Sequence, residues 1–266
     1  KYFLFTRHLI SLIPMTLSYK INNLEKEINV SEQNKFSFGN NEVLSNEYTD
    51  PTFNQPWYNE GYKVYTIFNQ NRFSLIKDSI KKTLMNTMIK EGINTENFDL
   101  ENYHNYVHSE EEHLKIVSKT RDYFNNDFDS SITYLHKDFE NHLRFKLTNK
   151  NPVNGKRLHI IVRIIRPFSN DFNPPHKDIY ESLDKKSMST KMINFWIPIC
   201  GLTNENSLPI VPSSHLINEN KILRTKVGGI INENIYSVRL IKSWDGNNCL
   251  VRPIMYYGDA LIFSSY

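Results

Sequence analysis

In the run NDFNPPHKDIYESLD, His176 and Asp178 stand two residues apart, behind Pro174 and Pro175 and ahead of an apolar pair. A neutral imidazole and a carboxylate are two arms of the two-histidine, one-carboxylate triad. That triad holds non-haem Fe(II) and leaves positions open for substrate and oxygen. On a strand, side chains at i and i+2 share a face, so the two would project together with Lys177 facing away. The plainer reading makes Asp178 a turn or cap carboxylate and His176 a satisfied polar residue. With nine histidines in the chain, one H-x-D does not select between the two readings.

Three other residues join the candidates by strand alternation. Asn194 and Trp196 share one face of KMINFWIPI. Arg163 shares a face of RLHIIVRIIRP with His159. If that face is interior, Arg163 is placed to meet a carboxylate bidentately; if exterior, it meets solvent or a helix. His215 reads as structural or substrate-facing. Trp57, Trp244, Tyr256 and Tyr257 read as packing, the tyrosines as core or barrel wall.

These residues need elements to hold them. Residues 20–60 are polar and read as irregular. GYKVYTIF (61–68) reads as a strand. A helix follows, because Phe73, Ile76, Ile80, Leu84 and Met88 form one apolar stripe and Gly92 ends it. A second helix opens at Ser109, with Glu112 completing a capping box and Leu114 and Val117 on its inner face. A third helical segment covers roughly 130–146. After Gly155, short β-branched runs alternate with turn residues, which suggests an all-β barrel or sandwich. The expected architecture is α+β with a mainly β core. It forms one domain over 1–266, a helical front half (1–150) on a β-rich back half (151–266).

Composition narrows the function. At 266 residues and 39% hydrophobic, the chain can bury a substantial core. A net charge of +3 without basic runs argues against nucleic acid as a partner. The apolar start is interrupted by Arg7, His8 and Pro14, so no membrane span is expected. Cys200 and Cys249 form no C-x-x-C pattern and read as reduced, mostly buried thiols. A cytoplasmic location is the default expectation.

From VRIIRP through HKD, WIPI and LPIVPSSH to GDALIFSS, the chain resembles the phytanoyl-CoA dioxygenase-like family of Fe(II)- and 2-oxoglutarate-dependent oxygenases. The resemblance covers about 155–266, and the front half matches loosely through GYKVYTIF and the helix after it. It implies a double-stranded β-helix, a jelly-roll or cupin-like barrel, with N-terminal helices packed on it. It implies that His176 and Asp178 bind iron and that Trp196 lines the oxoglutarate pocket, with Asn194 beside it. Fe(II), 2-oxoglutarate and O2 are the implied cofactors, and hydroxylation of a small molecule is the implied reaction. The family's Pro-Gly-Ser-His turn reads Pro212-Ser213-Ser214-His215 here, so the turn geometry is expected to differ. The family's distal histidine ligand and its oxoglutarate-binding arginine follow the GDALIF strand. The expectation is therefore a fragment cut before both, inactive as it stands.

Two other classes stay open. A cupin-like sugar isomerase or epimerase would use His176 as acid/base with Asp178 orienting it. A catalytically silent barrel would only bind a ligand. The loops near 169–190 and 220–235 are expected to shape the substrate pocket, with YESLDKKSMSTK as a polar, mobile lid.

Overall fold

The computed structural model describes residues 15–156, 159–167, 173–185, 189–231 and 234–266, with the backbone alone at Asn125, His159 and Asn234. The polar stretch expected to be irregular is largely β. β1 (Met15–Ile21) and β2 (Leu24–Val30) form a hairpin, and β3 (Phe36–Phe38) follows. Asn22 and Asn23 both take positive φ in the two-residue turn, the conformation that such a hairpin turn demands. Alternation was present in the sequence: Leu17, Tyr19 and Ile21 are buried, while charged residues fill β2's outer positions.

β4 (Tyr62–Thr66) leads into α1 (Gln70–Lys90). Asn69 caps α1 through the Arg72 amide, and Gly92 follows its end at φ +80°. The predicted stripe is buried at Ile76, Ile80, Leu84 and Met88, each contributing about 1.5–3 kcal/mol of apolar burial. α2 (Glu110–Thr120) has the expected capping box between Ser109 and Glu112. Its inner face differs from the expectation: His113, Ile116 and Thr120 are buried and Leu114 is exposed. The i, i+3, i+7 row through a histidine and a threonine carries the contact, and a hydropathy stripe misses it.

β5 (Tyr123–Phe124), α3 (Ser130–Thr133) and α4 (His136–Leu143) complete the front half, so the third helical segment is broken into two. β6 (His159–Ile160) pairs with β5, and the rest of the predicted strand continues as extended chain. Then come α5 (Ile179–Asp184), β7 (Ile193–Trp196), β8 (Ile222–Thr225), β9 (Gly229–Ile231) and β10 (Asn234–Tyr236). β11 (Ile241–Trp244), β12 (Cys249–Leu250) and β13 (Asp259–Ser264) finish the order.

The sheets run β10-β9-β2-β1-β12, β11-β8-β3 and β4-β13-β7, with β5-β6 as a separate pair. The fold is mixed α and β, with mostly antiparallel small sheets that do not close into a barrel among the described residues. Front and back halves are not separate layers, because β1–β3 pair with strands from the chain's last third. Two cores result. One joins α1, α2 and α4 to the inner side of β13; the other lies among β1, β8, β11 and the start of α5. Trp57 and Trp244 are buried in these cores, but Tyr256 and Tyr257 are exposed, against expectation. They sit in the turn before β13, where Asp259 takes the Tyr256 amide. Cys200 is half-buried and Cys249 exposed on the short β12, and neither is bonded to another cysteine.

Candidate functional site

His176 and Asp178 come together by a different route from the expected strand. Residues 173–177 are extended and unpaired, and Asp178 is the N-terminal flank of α5 with helical backbone angles. Pro174 and Pro175 stiffen the approach. The Pro175 carbonyl accepts from the Ile241 amide at 3.2 Å, and the Ile179 amide donates to the Ser265 carbonyl at 2.9 Å. The turn is thus pinned to the start of β11 and to the end of β13.

Within it, His176 Nδ1 lies 2.8 Å from the Pro174 carbonyl, and Nε2 lies 3.3 Å from Asp178 Oδ1. A carbonyl only accepts, so Nδ1 carries a proton. Nε2 then faces a carboxylate either as a second N–H, making the ring cationic, or as a lone pair. Two lone pairs facing each other at 3.3 Å require a cation between them. A backbone carbonyl holding the far nitrogen is the usual support of a metal-ligating histidine. Two ligands about 2.1 Å from one ion at a right angle stand about 3.0 Å apart, close to the spacing here. The pair therefore fits one divalent ion as two neighbouring ligands. Among the described residues, no third His, Cys, Asp or Glu joins them.

Asn194 Nδ2 donates to Asp178 Oδ2 at 2.7 Å, leaving Oδ1 for His176. Asn194 and Trp196 lie opposite Phe263 and Leu261 of β13 and share a face of β7. The intervening Phe195 turns to the helical core and meets the Phe139 ring at 4.1 Å. Trp196 is half-buried two residues beyond Asn194.

Arg163 lies on an extended segment whose alternate residues, Val162 and Ile164, pack on the helical core. Arg163 itself is exposed, yet crowding by protein is the largest influence on its guanidinium. The same holds for Asp178, which keeps 39% of its side-chain surface open to water. Protein thus crowds both groups while water still reaches them. The charge of Arg163 reaches both Asp178 and His176.

These surroundings set the ionisation. Burial pushes His176 down, but Asp178 and the Pro174 carbonyl outweigh it and raise its pKa. Burial alone would raise Asp178; His176, Asn194 and Arg163 hold it below the usual carboxylate range. An imidazolium–carboxylate pair is the resulting metal-free state.

The residues that support this turn were not legible in the sequence. Lys177 points away from the pair, as expected, but into the interior. Its Nζ is 3.0 Å from Glu219 Oε1. Glu219 Oε2 accepts from Tyr180 Oη at 2.8 Å and from Arg224 Nε at 3.0 Å, and Arg224 stacks over the Tyr180 ring. Lys177 lies within the His-x-Asp turn and Tyr180 just after it, so this buried network fixes it from behind. Tyr180 and Ser182 are buried, so the first half of the supposed mobile lid is an anchored helix. Residues 186–188 of it lie outside the described residues.

Two further histidines were candidates. The side chain of His159 lies outside the described residues. His215 is buried against the Tyr58 ring, with its Nε2 unpartnered. Ser213 in the same turn takes φ +58° and ψ 12°, the left-handed conformation a glycine would adopt. The Ser213 hydroxyl donates to the Asn59 carbonyl at 2.7 Å.

No helix among the described residues is long and apolar enough to cross a membrane. Comparison with protein-family models, characterised proteins and solved structures finds no match to this chain.

Proposed function

We propose that the chain is the barrel region of an Fe(II)- and 2-oxoglutarate-dependent dioxygenase, of the phytanoyl-CoA dioxygenase-like type, that hydroxylates a small molecule. One observation carries this reading: His176 Nε2 faces Asp178 Oδ1 at 3.3 Å while Nδ1 is tied to a backbone carbonyl. Iron, when bound, supplies activation of dioxygen coupled to oxidative decarboxylation of 2-oxoglutarate. The chain's residues do the rest. His176 and Asp178 hold the ion, the Pro174 carbonyl fixes the imidazole's orientation, and Asn194 orients the carboxylate. Trp196 lines the cosubstrate, and Arg163 offers a cation for a carboxylate.

The reading needs a third ligand besides His176 and Asp178. The Ser265 carbonyl is bonded to the amide next to Asp178, which ties the end of β13 to the pair. The jelly-roll arrangement and a cytoplasmic setting belong to the same proposal. The antiparallel β4-β13-β7 sheet, with Asn194 on its site-facing side, supports the former.

A His–Asp acid/base dyad, as in a cupin-like isomerase, is the second reading, favoured by the same contact with the imidazole protonated. Anaerobic titration with Fe(II) and 2-oxoglutarate separates the two. The oxygenase reading expects an oxoglutarate-dependent absorption band that is lost in His176→Ala and in Asp178→Ala. Succinate formation with Fe(II), 2-oxoglutarate and O2 is its turnover assay. No band in the folded parent protein, with turnover of a sugar in the presence of EDTA, would transfer the assignment to the isomerase.

A further inference from the structure

Four of the described arginines are paired with acids. Arg72 pairs with Asp138, Arg166 with Glu110, Arg224 with Glu219 and Arg239 with Asp184. Arg163 and Arg121 are different: neither guanidinium has a hydrogen bond or ion pair among the described residues. The backbone brings them together. The Val162 amide donates to the Thr120 carbonyl at 3.0 Å, continuing the β5–β6 pairing, so Arg121 and Arg163 each adjoin one end of that bond. Burial and the charge of Arg121 both lower the tendency of Arg163 to stay protonated. Neighbouring like charges with no acid in direct contact form a site whose natural complement is an anion.

The neighbours of Arg163 on its own face are apolar. Ile161 and Ile165 each leave 56% of their surface exposed, on either side of the guanidinium, while Val162 and Ile164 point into the core. Two β-branched side chains exposed on one strip, with a cation between them, suit a ligand that is apolar along its length and anionic at one point. Tyr236 and Asp178 are close enough for their charges to act on Arg163.

We propose that Arg163 and Arg121 form an anion-binding site for a small organic acid whose apolar body lies along Ile161 and Ile165. The site itself needs no metal; that the bound molecule is the one oxidised rests on the oxygenase reading. The chemistry recognised is a carboxylate or a phosphate monoester on a short apolar chain, and both suit the guanidinium fork.

The test uses the whole chain in EDTA, titrated by calorimetry with hexanoate, hexyl phosphate and 2-oxoglutarate separately. We expect saturable binding of hexanoate, hexyl phosphate or both. Arg163→Gln should weaken it at least tenfold and Arg121→Gln severalfold. Ile161→Ser should weaken it while leaving binding of 2-oxoglutarate unchanged. Both arginines are exposed, so unchanged melting of the variants is expected and serves as the folding control. Binding of 2-oxoglutarate alone, lost in Arg163→Gln, would assign the arginines to the cosubstrate and overturn the proposal. Absence of binding by every probe, or binding indifferent to Arg163, would also overturn it. Because metal is excluded, these failures are distinct from failure of the iron titration.

Discussion

The side chains of Lys177 and Asp178 leave one turn in opposite directions. Lys177 Nζ enters the interior and meets Glu219 at 3.0 Å, while Asp178 Oδ1 turns to the water-filled side and meets His176 at 3.3 Å. The turn therefore has a structural back and a chemical front, and substitutions on the two sides should have separable effects.

On the back, Glu219→Ala would leave Lys177 and Arg224 buried without their anion. Breaking one side of a buried pair costs about 3–5 kcal/mol. Burial alone would raise Glu219, but Lys177, Tyr180 and Arg224 hold its carboxyl below the usual range, which shows how far the site is built for the charge. Urea denaturation should show a loss of that size. A loss under about 1 kcal/mol would mean the network does not brace the turn.

On the front, Asn194→Ala removes one half-buried support of Asp178. Stability should change little, whereas affinity for a divalent ion should fall about 10- to 100-fold. Titration with Co(II) followed by visible absorption reads this directly. Equal affinity in parent and variant would remove Asn194 from the site.

In the metal-free protein the His176–Asp178 pair should make stability depend on pH in both directions. His176 is raised, so its contribution is full below about pH 6.5 and is lost as pH rises through its folded value. Asp178 is lowered, so its contribution is present above about pH 3.9 and is lost as pH falls through its folded value. The pair therefore contributes most between those limits. Melting temperatures of parent and His176→Gln across pH 3–9 should diverge most near pH 5; parallel curves would show the pair to be uncoupled.

Gly61 and Gly92 offer a matched comparison of strain against crowding. Both have φ near +80°, but a Cβ at Gly92 meets open space, whereas one at Gly61 lies 2.6 Å from His215 Nδ1. Gly92→Ala should cost about 1–2 kcal/mol from backbone conformation alone. Gly61→Ala should cost clearly more, because the buried imidazole must also move. Similar losses in thermal denaturation would show that His215 yields freely.

The local signals in the sequence were good guides where local physics decides. The stripe from Ile76 to Met88, the Ser109–Glu112 box and the β4 and β13 segments are all where residue spacing put them. The shared face of Asn194 and Trp196 follows from alternation alone. What spacing hid was decided at a distance. β1 and β2 looked irregular because charged residues fill the solvent side, and their inner side is covered by chain far along the sequence. His176 and Asp178 converge through a pinned turn, where a strand had been expected. Nothing near Lys177 announces Glu219, 42 residues away.

β13 has its partners on either side from opposite ends of the chain's history: β4 near the start and β7 much later. Thr66 and Asp259, bonded across one edge, are 193 residues apart, and the Tyr19 hydroxyl reaches a carbonyl 222 residues on. At about 5–20 residues per second, a ribosome takes roughly 10–40 s between making β4 and making β13. During that interval β4 and the β1–β2 hairpin have been made, but the strands that β13 and β12 later supply have not. Neither principal core can close until β12 and β13 have been made, so folding is dominated by distant pairings and is correspondingly slow. Shielding of those early strand edges while the chain is being made is thus a requirement of this topology.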